Sequence, residues 1–193
     1  RRPHLQGSVW HLRLPPRPPP SAPLPARLAV GGDSAGGNLA AVIAQVATRE
    51  AWTVRPAFQL LLYPATDMRR EHESHRAFAD GYLLSGATIT WFLGHYLRSD
   101  ADITDPRASP LLAADLRGLP PAYVAIAGFD PLRDEGREYA GRMREAGVSV
   151  QLDCHDALVH GFISLGAGIE AAEAAMGAAA RALRQALIRA SDL

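Results

Sequence analysis

Residues 31–47 read GGDSAGGNLAAVIAQVA, and the role of Ser34 within them decides how the rest of the chain is read. Gly32-Asp33-Ser34-Ala35-Gly36 matches G-x-S-x-G, the pattern of a serine held on a sharp turn between a strand and a helix. The flanks agree, because the apolar run ARLAVG (26–31) leads in and NLAAVIAQVA (38–47) leads out at helical spacing. Glycines beside such a serine permit strained backbone and close packing, which leaves the hydroxyl exposed. A serine at a helix start also serves as an N-cap. That reading accounts for the serine but not for glycine on both sides of it.

A serine hydroxyl becomes a useful nucleophile only when a base removes its proton, so the first reading requires a histidine and an acid. On sheets with this turn they follow in the order Ser, Asp or Glu, His, each in a loop after a strand. AYVAIAGFDPLRDEG places Asp130 just past an apolar run, and VSVQLDCHDALVHGF places His160 just past another. Asp130 has a structural alternative, since Asp followed by Pro131 is also the signature of a helix N-cap with proline at the first position. His155 lies nearer the strand, but Gly161 gives the His160 loop freedom to turn its ring toward the sheet edge. Asp33, Asp134 and Glu135 are read as serving the turn and the solvated start of a helix.

Around this constellation the pattern is α/β. ARLAVG (26–31), AFQLLLY (57–63), AYVAIAG (122–128) and VSVQLDC (148–154) are short, evenly apolar runs that predict buried strands. Helical stripes lie between and after them: Leu39, Val42, Ile43 and Val46; Leu132, Gly136, Tyr139, Met143 and Ala146, ending at Gly147; and Ile169, Ala172, Met176, Ala179, Leu183 and Leu187. Alternation of this kind predicts right-handed crossovers and a parallel sheet covered by helices on both faces. One connection, residues 65–119, is long enough to be a lid, and carries Ile89, Phe92, Leu93, Tyr96 and Leu97 on one helical stripe.

Residues 1–26 differ from all that follows. They hold eight of the 15 prolines and no acidic residue. RLPPRPPPSAPLP neither forms a helix nor pairs as a central strand, and a disordered or polyproline II arm is expected. The expected division is therefore an arm at 1–26 and one domain at 27–193.

Composition narrows the function. Acidic and basic residues balance at 20 each with no run of like charge, which disfavours nucleic acid and anionic membranes and leaves a small molecule as the expected partner. Cys154 is the only cysteine, so an internal disulfide is excluded; its apolar setting predicts a small core residue. No apolar stretch is long enough to span a bilayer, and none behind Arg1 and Arg2 suits a signal peptide. A cytoplasmic protein is expected.

GGDSAGGNLA (31–40), LLYP (61–64), DGYLLS (80–85), DPRASPLL (105–112), LPPAYVAIAGFDPLRDEG (119–136) and HGF (160–162), in that order, resemble the hormone-sensitive-lipase-like carboxylesterases, α/β-hydrolase fold-3. The likeness runs from Arg27 to about Leu187. It implies the α/β-hydrolase fold, with 65–119 including part of a cap, and esters of short to medium acyl chains as substrates. It also implies no metal or organic cofactor. By position, Ser34 resembles the family's nucleophile, Asp130 its acid and His160 its base. Trp91, Phe92 and Tyr96 are candidates for the acyl pocket, against the alternative that an aromatic stripe is packing.

The chain departs from the family's pattern upstream of Ser34. The oxyanion donors of such esterases are the backbone N–H after the nucleophile, here Ala35, and those of an upstream H-G-G-G loop. The chain's one His-Gly pair is His160-Gly161. This reads as an N-terminally truncated chain with impaired turnover, and as a first strand whose open edge invites self-association. Two other functions compete: a prolyl-oligopeptidase-like serine peptidase, and a non-catalytic binding protein or inactive remnant on the same fold.

Overall fold

A computed structural model describes residues 28–189, so the expected arm at 1–26 lies outside the described residues. Four parallel strands, β1 (Ala29–Asp33), β2 (Phe58–Leu62), β3 (Ala122–Phe129) and β4 (Val150–Val159), form one sheet in the order β1-β2-β3-β4. Gly31 pairs with Leu60, Leu61 with Val124 and Ala125 with Asp153. Because every strand runs the same way, all four chain exits lie along one rim of the sheet.

Strand alternation divides the core in two. Leu61, Val124 and Ile126 pack beneath α1 (Ala35–Arg49) and α4 (Arg133–Glu145), while Phe58, Tyr123, Ala125 and Ala127 pack beneath α5 (Glu170–Arg189). The α4 stripe is as the spacing predicts, with Tyr139 and Met143 fully buried. The helix ends where Gly147 turns left-handed at φ +83°, its N–H bonding to Arg144 O and that of Val148 to Met143 O, each at 2.9 Å.

Three expectations need correction. The core face of α1 is the small-residue stripe Ala40, Ala41, Ala44 and Ala47, with Asn38 and Gln45 buried and hydrogen-bonded among them. Val42, Ile43 and Val46 are only half-buried and Leu39 is exposed, because the helix lies so close to the sheet that alanines fill the gap. On α5 the same economy holds: Ala172, Ala175 and Ala179 are buried against the sheet while Met176, and Ile169 just before the helix, are exposed. β4 is a sheet edge whose residues are mostly half-buried or exposed, and Cys154 is an exposed residue rather than a core one. Its Sγ–H donates to Asp156 Oδ1 at 2.8 Å, and partial desolvation together with that carboxylate pushes the thiol's pKa up.

The connection at 65–119 carries α2 (Glu73–Ala77) and α3 (Gly86–Tyr96). Ser85 caps α3, its Oγ accepting the Thr88 N–H at 3.1 Å. Ile89 alone of the α3 side chains is buried, so the helix rests on the body rather than within it. Among the described residues no helix is long and apolar enough to cross a membrane.

Candidate active site

Each strand delivers one side chain to the rim. Ser34 follows β1, Tyr63 follows β2, Asp130 follows β3 and His160 follows β4. Ser34 stands at φ +53°, ψ −116°, a conformation that non-glycine residues rarely adopt. Its N–H donates to Leu62 O at 2.9 Å and its carbonyl accepts from Asn38 at 3.0 Å, so the backbone occupies the cap position of α1. The side chain makes no capping bond. Instead the hydroxyl lies 3.0 Å from His160 Nε2.

The turn depends on Gly32 more than on Gly36. A Cβ on Gly32 would stand 2.5 Å from the Gly36 carbonyl carbon, whereas one on Gly36 would meet nothing closer than Asp33 Oδ1 at 3.9 Å. The flanking glycines are therefore not equivalent, as the motif alone implies. The first carries the close approach of strand and helix.

His160 Nδ1 lies 2.7 Å from Asp130 Oδ2, and Asp130 is wholly buried. A carboxylate accepts, which places the imidazole hydrogen on Nδ1 and leaves the Nε2 lone pair for the Ser34 O–H. Asp130 is not the N-cap of α4: that position is Leu132, and the helix begins at Arg133. The other carboxylate oxygen accepts the Leu132 N–H at 2.8 Å, locking the turn that aims the acid at His160. His155 lies back along β4, with its ring against Phe162 at 5.2 Å. Ala35 opens α1, and its N–H, like those of any first helical turn, has no acceptor within the helix.

These groups border a cavity of about 620 Å³ whose walls are chiefly apolar. Leu83, Leu84, Ile89, Phe92, Leu93 and Leu132 supply most of that wall, and Tyr96 closes it with a hydrogen bond of 3.0 Å from its hydroxyl to Asn38 Oδ1. Phe92 and Tyr96 thus face the cavity. Trp91 does not border it: its side chain is exposed, with its ring against Phe92 at 5.2 Å and His95 at 4.3 Å.

Glu135 is the main correction. It is fully buried rather than solvated. Its Oε1 accepts the N–H groups of Thr66 (2.5 Å) and Asp67 (3.2 Å), and Oε2 meets His75 Nε2 at 2.6 Å. Burial pushes this carboxyl above the usual range, with His75 opposing. Beside it Asp134 accepts the Ser74 N–H at 2.9 Å, and Ser74 Oγ donates to Pro131 O at 2.6 Å. The acids thus fasten the insertion to the loop behind Asp130. An acid in a helix's first turn is ordinarily solvated, and no spacing in the sequence pairs His75 with it.

A family model of the alpha/beta hydrolase fold matches residues 21–164. The chain belongs to that family. Within the α/β-hydrolase fold it falls in the hormone-sensitive-lipase-like group, fold-3. Among curated proteins it is similar to the carboxylic ester hydrolase LipN of Mycobacterium tuberculosis, 53% identical over 146 residues that make up 74% of this chain and 39% of that protein. It is also similar to an ethyl acetate hydrolase of Pseudomonas putida, 39% identical over 82% of this chain and 50% of that one. A solved thermostable esterase from Pseudomonas putida superimposes with TM-score 0.81 at 42% identity, covering 84% of this chain and 52% of the other. The chain thus spans about half the length of these α/β-hydrolase relatives, or less.

Proposed function

We propose that the chain is a serine carboxylic ester hydrolase in which Ser34 is the nucleophile, His160 the general base and acid, and Asp130 the group that orients the imidazole. One observation carries the reading: the unbroken chain Ser34 Oγ to His160 Nε2 (3.0 Å) and His160 Nδ1 to Asp130 Oδ2 (2.7 Å), opening on an apolar cavity. Residues 27–193 form the C-terminal portion of the catalytic domain, and 65–119 includes part of its cap.

The reaction follows from the geometry. Ser34 Oγ bonds to the ester carbonyl carbon as its proton passes to His160 Nε2, and Asp130 holds the imidazole in the tautomer that accepts it. The carbonyl oxygen becomes an oxyanion that the Ala35 N–H faces from the start of α1. Collapse breaks the bond to the alkoxide, which takes the proton from Nε2 and leaves as alcohol. Water then attacks the acyl-Ser34 carbonyl, giving its proton to Nε2, and the carboxylic acid departs as Ser34 recovers a proton. The apolar wall of Leu84, Ile89, Phe92 and Leu93 fits a short to medium acyl chain.

The test is covalent labelling with a fluorophosphonate, read by intact mass and peptide mapping. One phosphonyl group on Ser34 in the wild type, and none in Ser34→Ala, supports the reading. A folded wild-type chain that stays unlabelled overturns it in favour of a binding protein. A series of 4-nitrophenyl esters, from acetate to decanoate, then reads the acyl preference, with an optimum expected at short to medium length.

A further inference from the structure

We infer that Tyr63 is a positioning residue for His160: its ring is the backstop that keeps the imidazole between Ser34 and Asp130. The inference rests on the hydrolase reading above and assigns a role to a residue outside the hydrogen-bonded chain.

Strand alternation puts Phe58, Leu60 and Leu62 on the α5 face of β2 and Leu61 on the opposite face. Tyr63, the next residue, should therefore point toward α1 and α4. It lies instead on the α5 face, among Tyr123, Leu158 and Phe162. The reversal is made by its backbone, at φ +35°, a conformation that is a genuine outlier for a bulky residue. Such strain costs on the order of 1–3 kcal/mol and persists only where the surroundings over-determine it.

What the strained conformation achieves is contact with His160. The two ring centroids are 4.7 Å apart at 56°, and the tyrosine ring also packs on Phe162, near-perpendicular at 5.1 Å. Tyr63 is 1% exposed, so its ring has no room to retreat. Its N–H donates to Ala125 O at 2.6 Å, and its hydroxyl leans on Asp33 Oδ2 at 3.4 Å, beside the nucleophile. Backbone and hydroxyl tie Tyr63 to β3 and β1, and its ring meets His160 at the end of β4. The imidazole is held by two hydrogen bonds, which fix its nitrogens, and by one tilted aromatic ring, which resists its displacement.

The experiment compares fluorophosphonate labelling rates and, for the fastest 4-nitrophenyl ester, kcat and KM in wild type, Tyr63→Phe and Tyr63→Leu. Displacing a reacting group by about 1 Å costs up to about 10²-fold. Tyr63→Leu is expected to lower the labelling rate and kcat by about 10- to 100-fold with KM unchanged. Tyr63→Phe, which keeps the ring, is expected to stay within about threefold of wild type. Circular dichroism and the thermal midpoint report folding. Should Tyr63→Leu not fold, Tyr63→Met, whose flexible chain fills irregular space, takes its place under the same expectation.

Three results overturn the inference while leaving the hydrolase reading intact. One is a folded Leu or Met variant labelled at the wild-type rate. Another is loss of thermal stability with kcat unchanged, which marks a purely structural ring. The third is Tyr63→Phe as slow as Tyr63→Leu, which assigns the effect to the hydroxyl. An unlabelled wild type overturns the hydrolase reading itself, and this inference with it.

Discussion

Gly32 and Gly36 look alike in the motif, yet only one of them is under steric pressure. Alanine at Gly32 drives its Cβ into the backbone of the first helical turn, where no flexible side chain gives way. Gly32→Ala is expected to destabilise the fold by about 1–3 kcal/mol, as overpacking does, and to abolish labelling of Ser34. Gly36→Ala has room, and replacing a helical glycine stabilises by about 0.5–1 kcal/mol. Its thermal midpoint should match or exceed that of wild type, with labelling retained. Ser34 and Asp130 were legible because each closes an apolar run at the rim, and His160 because Gly161 follows it. Spacing could not make Tyr63 legible, since period-two alternation predicts the opposite face and only the left-handed backbone reverses it.

Elements were easier to find than their orientations. The four apolar runs and their helices fix a parallel sheet whichever way each helix is rolled, but the roll depends on clearance. Where α1 and α5 lie close to the sheet, alanine is the better core residue and leucine or isoleucine is displaced outward. Large apolar side chains therefore mark the wrong stripe. The joint between α2 and α4 was similarly hidden, because Glu135 and His75 are 60 residues apart and each is ordinary in its own element. Glu135→Ala removes the acceptor for Thr66 and Asp67 and leaves His75 buried without its partner. Such a loss is expected to cost about 3–5 kcal/mol in urea unfolding. Glu135→Gln keeps an acceptor for both backbone N–H groups and should cost appreciably less.

For the whole molecule, pH is the informative variable. Burial holds the His155 imidazole below its ordinary value, against the pull of Asp153 and Asp156. A base depressed in the folded state favours folding above its unfolded value of roughly 6.5, and that contribution is lost as pH falls through the lower folded value. The thermal midpoint of the wild type should therefore drop between pH 7.5 and 5.5. His155→Phe, which keeps a ring against Phe162, should show a shallower decline over the same range. Equal slopes for the two proteins would show that His155 takes no part.

The order β1-β2-β3-β4 has a temporal consequence. Emerging from a ribosome, the chain exposes Ser34 first, while His160 leaves the exit tunnel last among the residues that meet at the rim. Nothing joins the hydroxyl to the imidazole until β4 zips onto β3 and α5 seals beneath. A nascent polypeptide that stops short of β4 therefore brings no imidazole to Ser34.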